Sequence, residues 1–180
     1  MKRSGIIALA FLLLLVLPFA LEGLHSGDTD TFYHLACGRW MAEHHAVLDH
    51  EAFSFTIAGE PWTNYYWLFE RAVYGAYEVA GYPGVIAVRA ALVLAMAGAV
   101  FGLAWLTTAG SALEAFAGAL VAMLLLLPRA LNVRPHLFSY LFLALTLVVL
   151  ERMRTRERAL GLVLPLLCIA WASLHGVEYP

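Results

Sequence analysis

The sequence predicts an all-α protein, a polytopic transmembrane helical bundle with two juxtamembrane amphipathic helices in a long first outer loop. Three observations predict it. Hydrophobic residues make up 62% of the 180 positions and charged residues 13%, against about half and about a quarter in soluble domains. Mean hydropathy is +0.77. The apolar excess is gathered into runs of near-membrane length, and basic residues, Arg89 apart, lie outside those runs.

Five runs can be drawn as spans, near residues 6–24, 84–107, 112–127, 136–150 and 159–174. Several are shorter than the ~20 residues that an upright helix needs, so interfacial Trp, Tyr and Arg or local thinning must make up the difference. Lys2 and Arg3 precede the first run, but Leu21 and Glu22 stand where a cleavable leader would carry small residues. An uncleaved first span is expected. The whole chain, 1–180, reads as one membrane domain.

The basic residues set the orientation. The linker Glu151-Arg-Met-Arg-Thr-Arg-Glu-Arg158 and the Lys2-Arg3 pair fall on the same side by span counting. The positive-inside tendency makes that side cytoplasmic. The protein is thus expected in the cytoplasmic (inner) membrane, N-terminus inside, with loops 25–83 and 128–135 and the C-terminal tail extracytoplasmic. All seven histidines, at 25, 34, 44, 45, 50, 136 and 175, then lie on or near the outer side. So do Arg129 and Arg134, against the usual bias. Arg89, one turn into the second span, is expected to snorkel to the outer surface.

Loop 25–83 is too long for a mere connector. A helix is expected from Asp30 to about Ala46, with Phe32, Leu35, Ala36 and Trp40 along one face. A second should run from Tyr65 to Ala80, capped by Thr63 or Asn64 and stopped by Gly81, with Leu68, Ala72, Ala76 and Val79 on one side. Between them, Ala52–Ile57 alternates like a short strand. Cys37 and Cys168 fall at different depths, so no disulfide is expected. No basic stripe stands outside the membrane flanks, and nucleic acid is not an expected partner.

The chemistry concentrates in His25-Ser-Gly-Asp28-Thr-Asp30-Thr-Phe-Tyr-His34, where the chain leaves hydrocarbon for water. Asp28 and Asp30 are the candidate catalytic residues, as carboxylates at a bilayer edge. The plain alternative is that they cap the helix that follows. His34, Arg129, Arg134 and His175 are candidate substrate-binding groups; interface anchoring or hydrogen bonding to a nearby carbonyl is the alternative for each. His44, His45 and His50 read as solvated loop residues.

Asp28-x-Asp30-x-x-x-His34-Leu35-x-x-Gly38-x-Trp40, then Phe53-Ser54-Phe55-Thr56-x-x-Gly59-x-x-Trp62, then Trp67-Leu68, resembles bacterial integral-membrane glycosyltransferases of the GT-C superfamily. Arg134-Pro135 before a span and Trp171-x-x-x-His175-Gly176 after one continue the likeness along nearly the whole chain. Tyr66 stands where relatives often carry an acid, and Ser173 where they often carry Asn. The resemblance implies a polyprenyl-phosphate-sugar donor, an acidic motif supplied by Asp28 and Asp30, and a glycan, lipid or protein acceptor. Such enzymes generally have more spans, so the chain is expected to be the N-terminal part of a larger module. Sugar transfer needs a base, offered by Asp28 or Asp30, and positive charge at the departing phosphate, offered by Arg129 or Arg134. No cofactor is required; a divalent cation (Mg or Mn) on Asp28, Asp30 and His34 stays open.

The rival reading is a non-catalytic membrane subunit or an anion-binding transporter fragment using Arg129 and Arg134. A transporter should carry polar groups at mid-span, and the span centres here are nearly free of charge.

Overall fold

The computed structural model describes residues 2–23, 28–155 and 158–175. His25, Ser26 and Gly27 of the polar segment lie outside them. Among the described residues the protein is all-helical: α1 (Arg3–Ala20), α2 (Thr29–His44), α3 (Trp67–Thr107), α4 (Ala112–Ala130), α5 (His136–Thr155), a 3-10 turn (Arg158–Leu162) and α6 (Val163–Leu174). α1, α3, α4 and α5 are long and apolar enough to cross a membrane. The fifth expected span is short. Its α-helical part is the 12 residues of α6, about 18 Å at 1.5 Å per residue, against a hydrocarbon core of about 30 Å.

α3 is the hub, packing against α1, α2, α4, α5 and α6. It bends once, at Gly81 (φ 63, ψ −150), a region that a side chain would oppose. Pro83 follows, unable to continue the ladder from the first limb. The expected stop at Gly81 is therefore where the juxtamembrane limb ends, and the membrane limb starts again within the same helix. The two limbs nearly touch: a Cβ on Gly84 would sit 2.2 Å from the Ala76 carbonyl oxygen.

Two kinds of core hold the elements. Within the spans, Leu12, Val16 and Ala20 of α1 meet Ala90, Val93, Met96, Ala97 and Phe101 of α3 and Ala115, Ala119 and Met123 of α4. Lipid is as apolar as these side chains, so the alanines matter because they let the helices approach closely. Beside the spans, Leu35, Phe69, Val73, Val85 and Val133 form a second cluster under the α2–α3 junction. There, burying a side chain such as Phe69 is worth roughly 1.5–3 kcal/mol by removal from water.

Arg89 corrects an expectation. It does not snorkel outward but is fully buried. Its guanidinium donates to Ala20 O (3.3 Å), to Glu22 O, and to Leu131 O (2.5 Å), so one cation joins the C-terminal ends of α1 and α4. Unsatisfied carbonyls at helix C-termini carry partial negative charge, and they draw the cation inward.

The faces of the juxtamembrane helices also differ from expectation. α2 buries Thr31, His34, Leu35, Cys37, Gly38 and Met41, while Phe32 is exposed. The first limb of α3 buries Phe69, Glu70 and Val73, while Ala72 and Val79 point outward. The inward face was selected by polar contacts and by Gly38, whose missing Cβ lets α2 lie against the Glu70 carbonyl. The strand expected at Ala52–Ile57 does not form. Glu51 Oε1 takes the N–H groups of Phe53 and Ser54, both at 2.9 Å, folding the stretch into local turns. One isolated bridge, His50 to Pro61, closes the base of that loop.

Candidate active site

α1 and α4 end, α5 begins and α6 ends at the same end of the bundle, and α2 lies across it. Asp28 stands at the N-cap position of α2, yet its side chain makes no capping bond. Its carboxylate is instead buried and held by Arg134, through Nε at 3.0 Å and Nη2 at 2.7 Å. The other oxygen of Asp28 accepts from Thr31 Oγ1 at 2.8 Å. Asp30, half exposed in the first turn of α2, meets Arg134 Nη1 at 2.7 Å. A single guanidinium thus spans both acids of the polar segment. Its position is set by the short 131–135 connection, and Val133, buried beside it, packs beneath α2.

A cavity of about 390 Å³ opens beside this pair, lined by Asp30, Tyr33, His34, Tyr66, Arg134, Pro135, His136 and His175. It unites four of the six residues expected from sequence: Asp30, His34, Arg134 and His175. Asp28 lies behind Arg134 rather than on the wall. Arg129 is not part of the wall; its side chain is exposed in the last turn of α4, and only its carbonyl reaches the site, accepting from His136 Nε2 at 3.1 Å. His175 closes the far side, bonded through Nδ1 to the Ser139 hydroxyl and stacked on Tyr66 with ring centroids 5.6 Å apart. Trp171 Nε1 donates to the same hydroxyl at 2.7 Å, so α5 and α6 position His175 together.

Sequence reasoning missed Glu70. Its side chain is fully buried; Oε1 is hydrogen-bonded to His34 Nδ1 (2.9 Å) and Oε2 accepts from Asn64 Nδ2 (2.6 Å). An acid two residues after Trp67-Leu68, on the same helical face as Phe69 and Val73, was the available signal. Neither Thr63 nor Asn64 caps α3, whose N-cap position is Tyr66 with no side-chain capping bond; Asn64 Oδ1 instead accepts the Tyr66 N–H at 2.9 Å in a local turn before the helix. Cys37 lies against this carboxylate, and burial first, then Glu70, push its thiol up to about 12. Tyr33 is pushed up as well, chiefly by burial.

No family model, curated protein or solved structure matches the chain. The site has to be read from its own residues.

A divalent cation does not fit this arrangement. The carboxylates of Asp28 and Asp30 converge on Arg134, whose guanidinium fills the place where a metal would sit. Among the described residues no group of three His, Cys, Asp or Glu side chains could hold one. Arg134 uses three of its five N–H groups on the acids, leaving one on each terminal nitrogen. Three histidines and three tyrosine or proline faces complete the wall.

Proposed function

We propose that this end of the bundle is a glycosyl-transfer site of the kind the GT-C-like motifs imply. The donor is a polyprenyl-phosphate sugar, and the acceptor is a hydroxyl on a glycan, lipid or protein. The protein sits in the cytoplasmic membrane with this face outside the cytoplasm. The observation that carries the reading is the Asp28–Arg134–Asp30 bridge at the wall of an aromatic and histidine-lined cavity. The bridge fixes a planar cation in one orientation, and its two spare N–H groups suit the oxygens of a departing phosphate. The cost of fixing it is already met in the fold, so little reorganisation remains when charge develops. Asp30, on the wall and half exposed, can meet the acceptor; Asp28, buried, holds Arg134.

The experiment is a transfer assay on the full chain in membranes, using isoprenyl-phosphate glucose, mannose and arabinose as donors and octyl glucoside as acceptor. Asp28→Asn and Asp30→Asn should each abolish transfer while resistance to carbonate extraction stays unchanged. Undiminished transfer in both variants would overturn the reading. Donor binding without turnover in the unmodified chain would favour the non-catalytic anion-binding subunit.

A further inference from the structure

We infer that His34, held by Glu70 and Asn64, is the proton acceptor of this site. The inference rests on the transferase reading above for its reaction, but its orientation argument stands on hydrogen bonds alone. The chain of bonds has a direction. The Tyr66 backbone N–H can only donate, so Asn64 Oδ1 is the acceptor and Asn64 Nδ2 the donor toward Glu70. Glu70 Oε2 accepts that proton while Oε1 faces His34 Nδ1 at 2.9 Å. Only an ionised carboxylate offers two acceptors with no proton of its own. With Glu70 in that carboxylate form, Nδ1 of His34 carries the hydrogen and Nε2 faces the cavity as an acceptor. Nε2 has no partner among the described residues, and His34 lines the cavity.

The ring is fixed from three sides. Phe69 and Tyr66 meet it edge-on at 5.2 and 5.6 Å between centroids, and Tyr33 does so at 6.0 Å. Gly38 keeps α2 and α3 close enough for the His34–Glu70 bond. Asp30 is the competing base, but one of its oxygens is already engaged with Arg134. His34 carries no such engagement on Nε2, and the buried carboxylate behind it compensates the positive charge that proton uptake creates.

The step balances without any co-reactant. The acceptor O–H gives its proton to His34 Nε2 as its oxygen bonds to the anomeric carbon. The bond from that carbon to the phosphate oxygen breaks, and its electron pair leaves with the lipid phosphate beside Arg134. His34 is left as imidazolium against Glu70 and returns the proton to water. His34 is then the catalytic residue, and Glu70 and Asn64 are positioning residues.

The test uses the full chain, labelled with ¹⁵N-histidine, in lipid nanodiscs. His34 is assigned by the signal lost in His34→Gln. Neutral His34 should show the Nδ1–H tautomer. Glu70→Gln offers one acceptor oxygen to two donors, so it should convert His34 to the Nε2–H form, and Glu70→Asp should restore Nδ1–H. An Nε2–H tautomer in the unmodified chain, or no change in Glu70→Gln, would overturn the relay. In the transfer assay, His34→Gln should lower kcat at least about 100-fold, with KM changed less than about threefold. Near-normal kcat in His34→Gln, with Asp30→Asn inactive, overturns the role of His34 and leaves the transferase reading intact. Absence of transfer by the unmodified chain overturns that reading and the base role with it, while the tautomer result is decided separately.

Discussion

Arg134 and Asp28, 106 residues apart in sequence, are joined by two hydrogen bonds to one carboxylate oxygen, at 3.0 and 2.7 Å. Asp30 meets the same guanidinium from the solvent side. The two acids share a partner but differ in surroundings: the side chain of Asp28 is 6% exposed and that of Asp30 is 51% exposed.

That difference predicts unequal costs. Asp28→Asn removes the buried one of Arg134's two charge partners and leaves only the exposed Asp30, and should destabilise the chain by roughly 1.5–3 kcal/mol. Asp30→Asn breaks an exposed pair and should cost under about 1 kcal/mol. Unfolding by SDS in mixed micelles measures both; equal losses would contradict the burial argument. Arg134→Lys, whose single ammonium cannot span two carboxylates, should behave like Asp28→Asn in stability and lose transfer.

Arg89 predicts a defect remote from the cavity wall. Arg89→Met removes the shared cation from the carbonyls of Ala20, Glu22 and Leu131. Charge-assisted hydrogen bonds are worth about 1.5–3 kcal/mol each, and part of that is offset by no longer burying the charge. A net loss of about 3 kcal/mol in the same titration is expected, with Arg89→Lys intermediate.

Three glycines of this region separate by sign. Gly38→Ala would set a Cβ 2.3 Å from the Glu70 carbonyl oxygen and 2.6 Å from Tyr74 Cβ, and Gly84→Ala would set one 2.2 Å from the Ala76 oxygen. Each contact is with backbone or a first side-chain carbon that cannot step aside, so each variant should lose more than about 2 kcal/mol. Gly75 has open space within 4 Å. Gly75→Ala should instead gain about 0.5–1 kcal/mol from helix propensity.

Cys37 predicts a response to alkali. Its folded value is raised from 9.0 to about 12, so folding favours the neutral thiol. The stability this supplies is complete below pH 9 and is lost progressively as pH rises from there toward about 12, because the unfolded chain ionises first. Cys37→Ala should flatten that part of the stability profile between pH 9 and 11. In the folded protein at pH 8, iodoacetamide should leave Cys37 unmodified until SDS unfolds the chain.

The spans were legible because each is a run of apolar residues, and hydrophobicity is a property of residues counted along a line. Gly81 was legible as a stop for a similar reason: its positive φ is a local need. The loop at 52–57 misled because its alternation matched a strand, yet no neighbouring strand was available and Glu51 took the backbone N–H groups itself. Arg89 misled because a cation near a span end normally reaches water; here two helix ends offered carbonyls closer than the surface.

Residue order alone determined that this is a helical membrane protein with most of its acids, its histidines and its stray arginines expected toward one end. Only the packed structure decided which of them touch. It gave Arg134 to both aspartates, left Arg129 outside the cavity, and buried Glu70 behind His34. The reason is one of dimension. Periodicity and composition act over a few turns of one helix, whereas a guanidinium chooses among carboxylates by distances of about 3 Å between segments that meet only once α3 has bent and α2 has come to lie across it.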